Sequence, residues 1–471
     1  MNEDSSRPRE VPPASVPAGA RQAGEIRARW AWSEPAVWTD RMLAALESGV
    51  RGGVWFSLYD KVCRVENLRA SFEKVRANAG ASGVDHQSVD DYEADLDGNL
   101  RRLSEQLRDR SYRPSAIRRV YIPKAGTNQK RPLGIPTVRD RVVQGAVRQV
   151  LEPIFERTFA EQSYGFRPGR SCHQALSRVQ QLLEAGYVHV VDADLKSYFD
   201  TIPHDRLMER VRRQVADSSV LELIEQFLKQ PVLEAMEHWT PEAGSPQGAV
   251  LSPLLSNLYL SDLDHAMAQV GIQMVRYADD FVILCRTADE AQAALERVRR
   301  WVEQEKLVLH PDKTRIVQAE TEGFDFLGYR FERKRRRPSR KSSDKLSESL
   351  RSQTRTTNGR SLPRIIADLN RRLVGWFHYY RRCSAGSLEW VDRWVRMRLR
   401  GILHRRRGGR GCAGKMDSAR WTNAYFAQQG LFSLAAVHRL KAPVRLAVTS
   451  STGEPDAGDP PVRFGGGRGR P

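Results

Sequence analysis

Cysteine is scarce in this sequence: five residues (Cys63, Cys172, Cys285, Cys383 and Cys412) in 471, none of them in a CxxC pair. That excludes a disulfide scaffold and a thiolate zinc site, and leaves five small buried hydrophobes as the expectation. Long apolar runs are missing as well. No stretch approaches the ~20 consecutive apolar residues of a spanning helix. The start, MNEDSSRPREVPPASVPAGARQ, has acids and prolines where a secretory leader needs a basic start and an apolar run. An intracellular, cytoplasmic protein without membrane contact is expected. Acidic side chains are in deficit too: 57 Asp plus Glu against 76 Lys plus Arg, a net charge of +19. With no membrane segment, that surplus points to nucleic acid as the polyanionic partner. No repeat period is evident.

What is present suffices for real cores, since 40% of residues are hydrophobic. The length implies two or three domains. Residues 1–28 and 446–471 are rich in Pro, Gly, Ser and charge, and are read as disordered tails. Residues 29–115 have helical periodicity, as in NLRRLSEQLRDR, where Leu100, Leu103 and Leu107 recur at helical spacing. Residues 116–332 mix strand and helix signals. Ser171 with Gln174, and Thr287 with Glu290, fit capping boxes, the second opening a helix with Leu295, Val298 and Val302 on one face. YVHVVDADL reads as a buried strand, MVRYADDFVIL as strand, tight turn and strand, and KLVLHPDKTRIVQ and FDFLGYRFER as further strands. The order implies an α+β fold, an antiparallel sheet with helices on one side. Residues 333–362 open with RKRRRPSRK, seven basic residues in nine, and read as a basic linker. Residues 363–445 are helical, with Leu369, Leu373, Trp376 and Tyr380 on one stripe.

The chemistry is concentrated in carboxylates. Asp279 and Asp280 interrupt an apolar strand, where ionised groups are costly unless something positive pairs with them. Asp194 ends the upstream strand VVDADL, and pairing the two strands would bring the three acids together. An isolated DD is most often an exposed turn. Three converging carboxylates without Cys or His instead select a hard cation, Mg²⁺ or Mn²⁺. Two such ions clamp the attacking and leaving oxygens of a phosphoryl transfer.

These residues resemble the reverse transcriptases encoded by bacterial group II introns. YADD (277–280) is similar to their catalytic hairpin, and DADLKSYFD (192–200) to the strand with the third metal ligand. GSPQGAVLSPLLSN (244–257) resembles the helix start that lines the nucleotide pocket. IPKAGTNQKRPLGIP and QSYGFRPGRSCHQAL resemble fingers motifs, HPDKT and FLGY the end of the palm, and LNRRLVGWFHYY the maturase segment that serves as thumb. The resemblance spans roughly residues 60–440.

It implies a right-hand polymerase with fingers, a ferredoxin-like palm and an all-helical thumb/maturase domain. Its substrates would be dNTPs, a DNA primer or target and the group II intron RNA, with two Mg²⁺ ions (Mn²⁺ the alternative) held by Asp194, Asp279 and Asp280. A cytoplasmic, nucleoid-associated location in a bacterium follows from the same likeness; the oligomeric state does not. Phe199 corresponds to a steric gate against a ribose 2′-hydroxyl, or to ordinary core packing. Lys124 and Arg131 correspond to residues facing the triphosphate, with a solvated basic loop as the rival for Lys124. Leu195 and Gln247 belong to the nucleotide pocket. Lys313 corresponds to a general acid for pyrophosphate, against a plain surface lysine. Arg335, Arg336, Arg337, Arg371, Arg372 and Tyr379 are expected to contact RNA. After Arg400 there are one Cys (Cys412) and only two His (His404 and His438), without the paired cysteines of the His-Asn-His endonuclease that many relatives carry, so an endonuclease-less member is expected. Two other readings stand beside this one: a splicing-only maturase, and a domesticated reverse transcriptase of a retron, defence or diversity-generating system.

Overall fold

The structure is a computed structural model that describes residues 18–123, 130–234, 237–333 and 335–440. Lys124 and the tail beyond residue 440 lie outside the described residues. Strands β1 (Ile117–Pro123), β2 (Lys130–Ile135), β3 (His189–Asp194), β4 (Val232–Glu234), β5 (Glu237–Trp239) and β6 (Gln273–Tyr277) come first. They are followed by β7 (Asp280–Cys285), β8 (Arg315–Gln318), β9 (Phe324–Phe326), β10 (Tyr329–Glu332) and β11 (Arg335–Pro338).

The central sheet has the order β6-β7-β3-β8, antiparallel throughout. Helix Ser252–Gln269 leads into β6, and helix Ala288–Gln304 connects β7 to β8. This βαββαβ order is the ferredoxin-like palm. Alternation sends Val191, Ala193, Phe281 and Ile283 into one core with Leu295, Val298 and Val302. Val190, Val275, Val282 and Leu284 enter a second core with Leu176, Val179, Phe324 and Phe331. Both faces are therefore covered, where the sequence reading expected helices on one side. The reason is visible in β7, whose FVILC is apolar without a break, the pattern of a strand buried on both faces. At the turn end of the second face the apolar residues give way to Asp192, Asp194 and Asp280, which share that face by the same alternation.

A second sheet, β2-β1-β4-β5, forms the fingers, with β1 antiparallel to β2 and parallel to β4. Helices Val65–Asn78 and Val138–Glu156 pack on each other, burying Leu68, Phe72, Val142 and Val143. The third sheet, β11-β10-β9, joins the palm to helices Arg340–Gln353, Leu362–Tyr380 and Ala385–Arg406. Leu369, Leu373, Trp376 and Tyr380 are buried as their spacing predicts.

Several sequence expectations need correction. Residues 18–28, assigned to a disordered tail, belong to helix Ala18–Arg29, pinned by buried Ile26 and by Arg29 on Glu47. Residues 333–362 are not a linker: they contain β11, which pairs with β10, and a helix capped by Ser339. Only Arg315–Gln318 of KLVLHPDKTRIVQ is strand. The Ser171–Gln174 capping box is present. Thr287 caps its helix, but the Glu290 carboxylate accepts from Arg286 N–H instead of closing the box. Four cysteines are buried and Cys412 is exposed.

Candidate metal centre and nucleotide pocket

Tyr277 pairs with Asp280, so Ala278 and Asp279 alone make the turn between β6 and β7. Ala278 has φ 58°, the left-handed region, which costs a residue with a Cβ about 1–2 kcal/mol. Across the sheet, Asp194 is the register partner of Asp280. Two distant chain segments thus deliver three carboxylates to one end of the palm, as the strand pattern requires.

The electrostatics reflect that crowding. Burial first, then the charges of Asp279, Asp192 and Asp194, push Asp280 well above the carboxylate range, against a hydrogen bond from the Leu327 backbone. Burial also pushes Asp192 up to about 6, opposed by Arg315 at 3.6 Å. Lys313 forms an ion pair with Asp194. Among the described residues no three His, Cys, Asp or Glu side chains are gathered into a ready cation cage. The register brings the three acids together, but Lys313 draws the Asp194 carboxylate and Leu327 that of Asp280. The convergence expected from the sequence therefore holds for the backbone and not for all three side chains at once. The donor set is oxygen only and mutually repulsive, which fits a hard divalent cation.

Some of the residues expected at a nucleotide pocket are tied together by backbone hydrogen bonds. The Gly134 N–H of β2 donates to the Gln247 carbonyl at 2.7 Å. Gly248, at φ 105°, lies so close that a Cβ there would be 2.5 Å from the Gly134 carbonyl oxygen. Ser245 N–H donates to the Phe199 carbonyl at 2.6 Å. Phe199 itself is half-buried, edge-on to Tyr198 at 5.5 Å and packed against the core. Leu195 is buried and bridges Leu309. Arg131 lies on β2 opposite Ile122. Lys313 is half-exposed beside Asp194.

Residues 122–331 match the family described as reverse transcriptase (RNA-dependent DNA polymerase), and residues 343–419 the group II intron, maturase-specific domain. Protein YkfC of Escherichia coli is 36% identical over 298 residues, which cover 55% of this chain and 78% of YkfC. The chain belongs to the group II intron-encoded reverse transcriptase and maturase family. The group II intron-encoded protein LtrA of Lactococcus lactis is 36% identical over 225 residues, 47% of this chain but 37% of LtrA. Nuclear intron maturase 2 of Arabidopsis thaliana is 32% identical over 169 residues, covering 27% of this chain and 23% of that protein. The matched catalytic domain is that of an RNA-directed DNA polymerase, a class that uses divalent cations such as Mg²⁺. Among the described residues no helix is long and apolar enough to cross a membrane.

The reverse transcriptase's arginine-rich candidates separate once side-chain directions are known. Arg335 and Arg337 point outward along β11 and line a groove of about 1220 Å³ with Arg330, Arg340, Trp376 and Trp390. Arg336 points inward: it is half-buried and donates to the Arg382 carbonyl at 2.7 Å, so it ties β11 to the thumb and is not free for RNA. Arg371 is exposed and pairs with Asp368, and Arg372 donates to Ser349. Tyr379 is a second correction. Its hydroxyl donates to the Leu327 carbonyl at 2.8 Å, and its ring lies 4.8 Å from Tyr380 and 5.5 Å from His173. That is packing, not a platform for bases.

Sequence reasoning missed a buried set around the turn: Ser163, Gly165, Asn257, Asp264 and Arg276. The signal was an arginine between Val275 and Tyr277, a charge inside an apolar strand that demands a partner.

Proposed function

We propose that this chain extends a DNA 3′ end by copying intron RNA, and that it assists splicing and mobility of that intron as a maturase. The observation that carries the reading is the register of Asp194 opposite Asp280, with Asp279 in the adjoining turn. In this reading Asp194, Asp279 and Asp280 hold two Mg²⁺ ions, or Mn²⁺. When bound, the cations lower the pKa of the primer 3′-hydroxyl and neutralise charge on the α-phosphate and the leaving pyrophosphate.

The chain's own groups do the rest. Arg131 and Lys124 offer cationic donors to the triphosphate, and Gln247 borders the incoming base on a loop that Gly248 lets pack against β2. The Phe199 ring, edge-on to Tyr198, fills the space that a 2′-hydroxyl would need, and Leu195 belongs to the same pocket. Lys313, paired with Asp194, is near enough to the acids to deliver a proton to pyrophosphate as it leaves. Arg335, Arg337, Arg371 and Arg372 present cationic donors to intron RNA.

Primer extension on an RNA template with Mg²⁺ tests the reading. Asp279→Ala is expected to lower the rate about a thousandfold or more, with RNA affinity nearly unchanged. Wild-type extension by this variant, or none by the folded parent at any salt, overturns it.

A further inference from the structure

Arg276 and Asp264 are an ion pair with both side chains 0% exposed, and nothing in the proposed chemistry uses them. Every guanidinium N–H is matched. Nε and Nη2 grip the two Asp264 oxygens at 2.8 and 2.5 Å, and Nη2 also donates to Ser163 Oγ at 2.8 Å. Nη1 donates to Asn257 Oδ1 at 2.9 Å and to the Ala278 carbonyl at 2.7 Å. A buried ion pair is a poor route to stability, because desolvation offsets most of the Coulomb gain and apolar replacements are often neutral. What no apolar pair could do is hold the Ala278 carbonyl.

That carbonyl belongs to the peptide linking Ala278 to Asp279, so its orientation sets the direction of the Asp279 side chain. From the other side Gly165 abuts the same turn. A Cβ on it would lie 2.3 Å from Ala278 N and 2.9 Å from the Tyr277 carbonyl carbon, both backbone atoms. The Gly165 carbonyl accepts from Asn257 Nδ2 at 2.7 Å, so one asparagine ties both sides. Residues 162–164 run beside β6, with Arg276 N–H to the Gln162 carbonyl and Tyr164 N–H to the Arg276 carbonyl, each 2.9 Å.

We propose that Arg276, Asp264, Asn257 and Gly165 are a clamp that fixes the Ala278–Asp279 peptide and so aims Asp279 at its cation. Arg276 is a positioning residue, and the left-handed Ala278 is held by this clamp. The inference rests on the reading of Asp279 as a metal ligand.

Two variants loosen the clamp from opposite sides: Arg276→Met with Asp264→Leu, and Gly165→Ala. Thermal melting reports the fold, electron paramagnetic resonance of free Mn²⁺ reports binding, and primer extension gives the Mg²⁺ dependence and KM for dNTP. Expected are variants that stay folded with a lowered melting temperature, about tenfold or greater loss of Mn²⁺ affinity, an equal rise in half-maximal Mg²⁺, and KM for dNTP within about twofold. Folded variants with parental Mn²⁺ binding and Mg²⁺ dependence overturn the clamp. So does unfolding of both variants, which would make the cluster structural. A parent that neither binds Mn²⁺ nor extends a primer sinks the metal-ligand reading of Asp279 itself, a separate result.

Discussion

Phe199 is the residue where substrate choice and packing meet. Its ring is half-buried against Tyr198, and its carbonyl anchors the loop that carries Gln247. Phe199→Val is expected to raise the kcat/KM ratio of ribonucleotide over deoxynucleotide about 10- to 100-fold, the range of a steric change in a pocket. An unchanged ratio would leave only the packing role. At this scale the meeting of Asp194 with the Asp279–Asp280 turn in one sheet register was legible, because acids in apolar strands announce themselves. It was not legible for Tyr379 or Arg336. Tyrosine on a basic helix and arginine in a basic run read as solvent-facing, and only the fold turns the first into an aromatic cluster and the second onto the Arg382 carbonyl.

Strand β11 shows what an element adds to its residues. Seven basic residues in nine looked like a solvated tether. Pairing with β10 makes it a strand, so successive side chains alternate: Arg335 and Arg337 face solvent while Arg336 and Pro338 face inward. The Arg335→Ala, Arg337→Ala double variant is expected to reduce the slope of log affinity against log salt for RNA by between about one and two. Arg336→Ala should leave that slope alone and lower the melting temperature instead. Equal slopes for both variants would contradict the alternation. The capping box at Ser171 and the apolar stripe of helix Leu362–Tyr380 were legible because they are local signals of three- and four-residue period. The second covered face of the palm depends on helix Cys172–Glu184 and β9 arriving from afar, which no local period records.

For the whole molecule, charge links fold to function. The net charge of +19 favours a polyanion, while acids concentrated at the palm work against the folded chain until a cation joins them. Asp192 and Asp280 both have raised pKa values, Asp192 to about 6. Unfolded aspartates titrate near ~3.9, so without cations the folded chain takes up protons first. Asp192 then favours the folded state increasingly as pH falls from about 6 towards 4, and Asp280 acts in the same direction. Added Mg²⁺ is expected to raise the melting temperature at pH 7.5, and the increment should shrink as pH falls through 6. A Mg²⁺ increment of the same size at pH 5 would contradict this.

Whether the palm carboxylates hold the cations is decided by anomalous scattering from Mn²⁺ in a crystal of the chain with RNA template, DNA primer and incoming dNTP. Expected are peaks joining Asp194 and Asp279 to the α-phosphate, with Asp280 alongside and Lys313 released from Asp194. Peaks that bind only the triphosphate, with Lys313 still on Asp194, would contradict that placement.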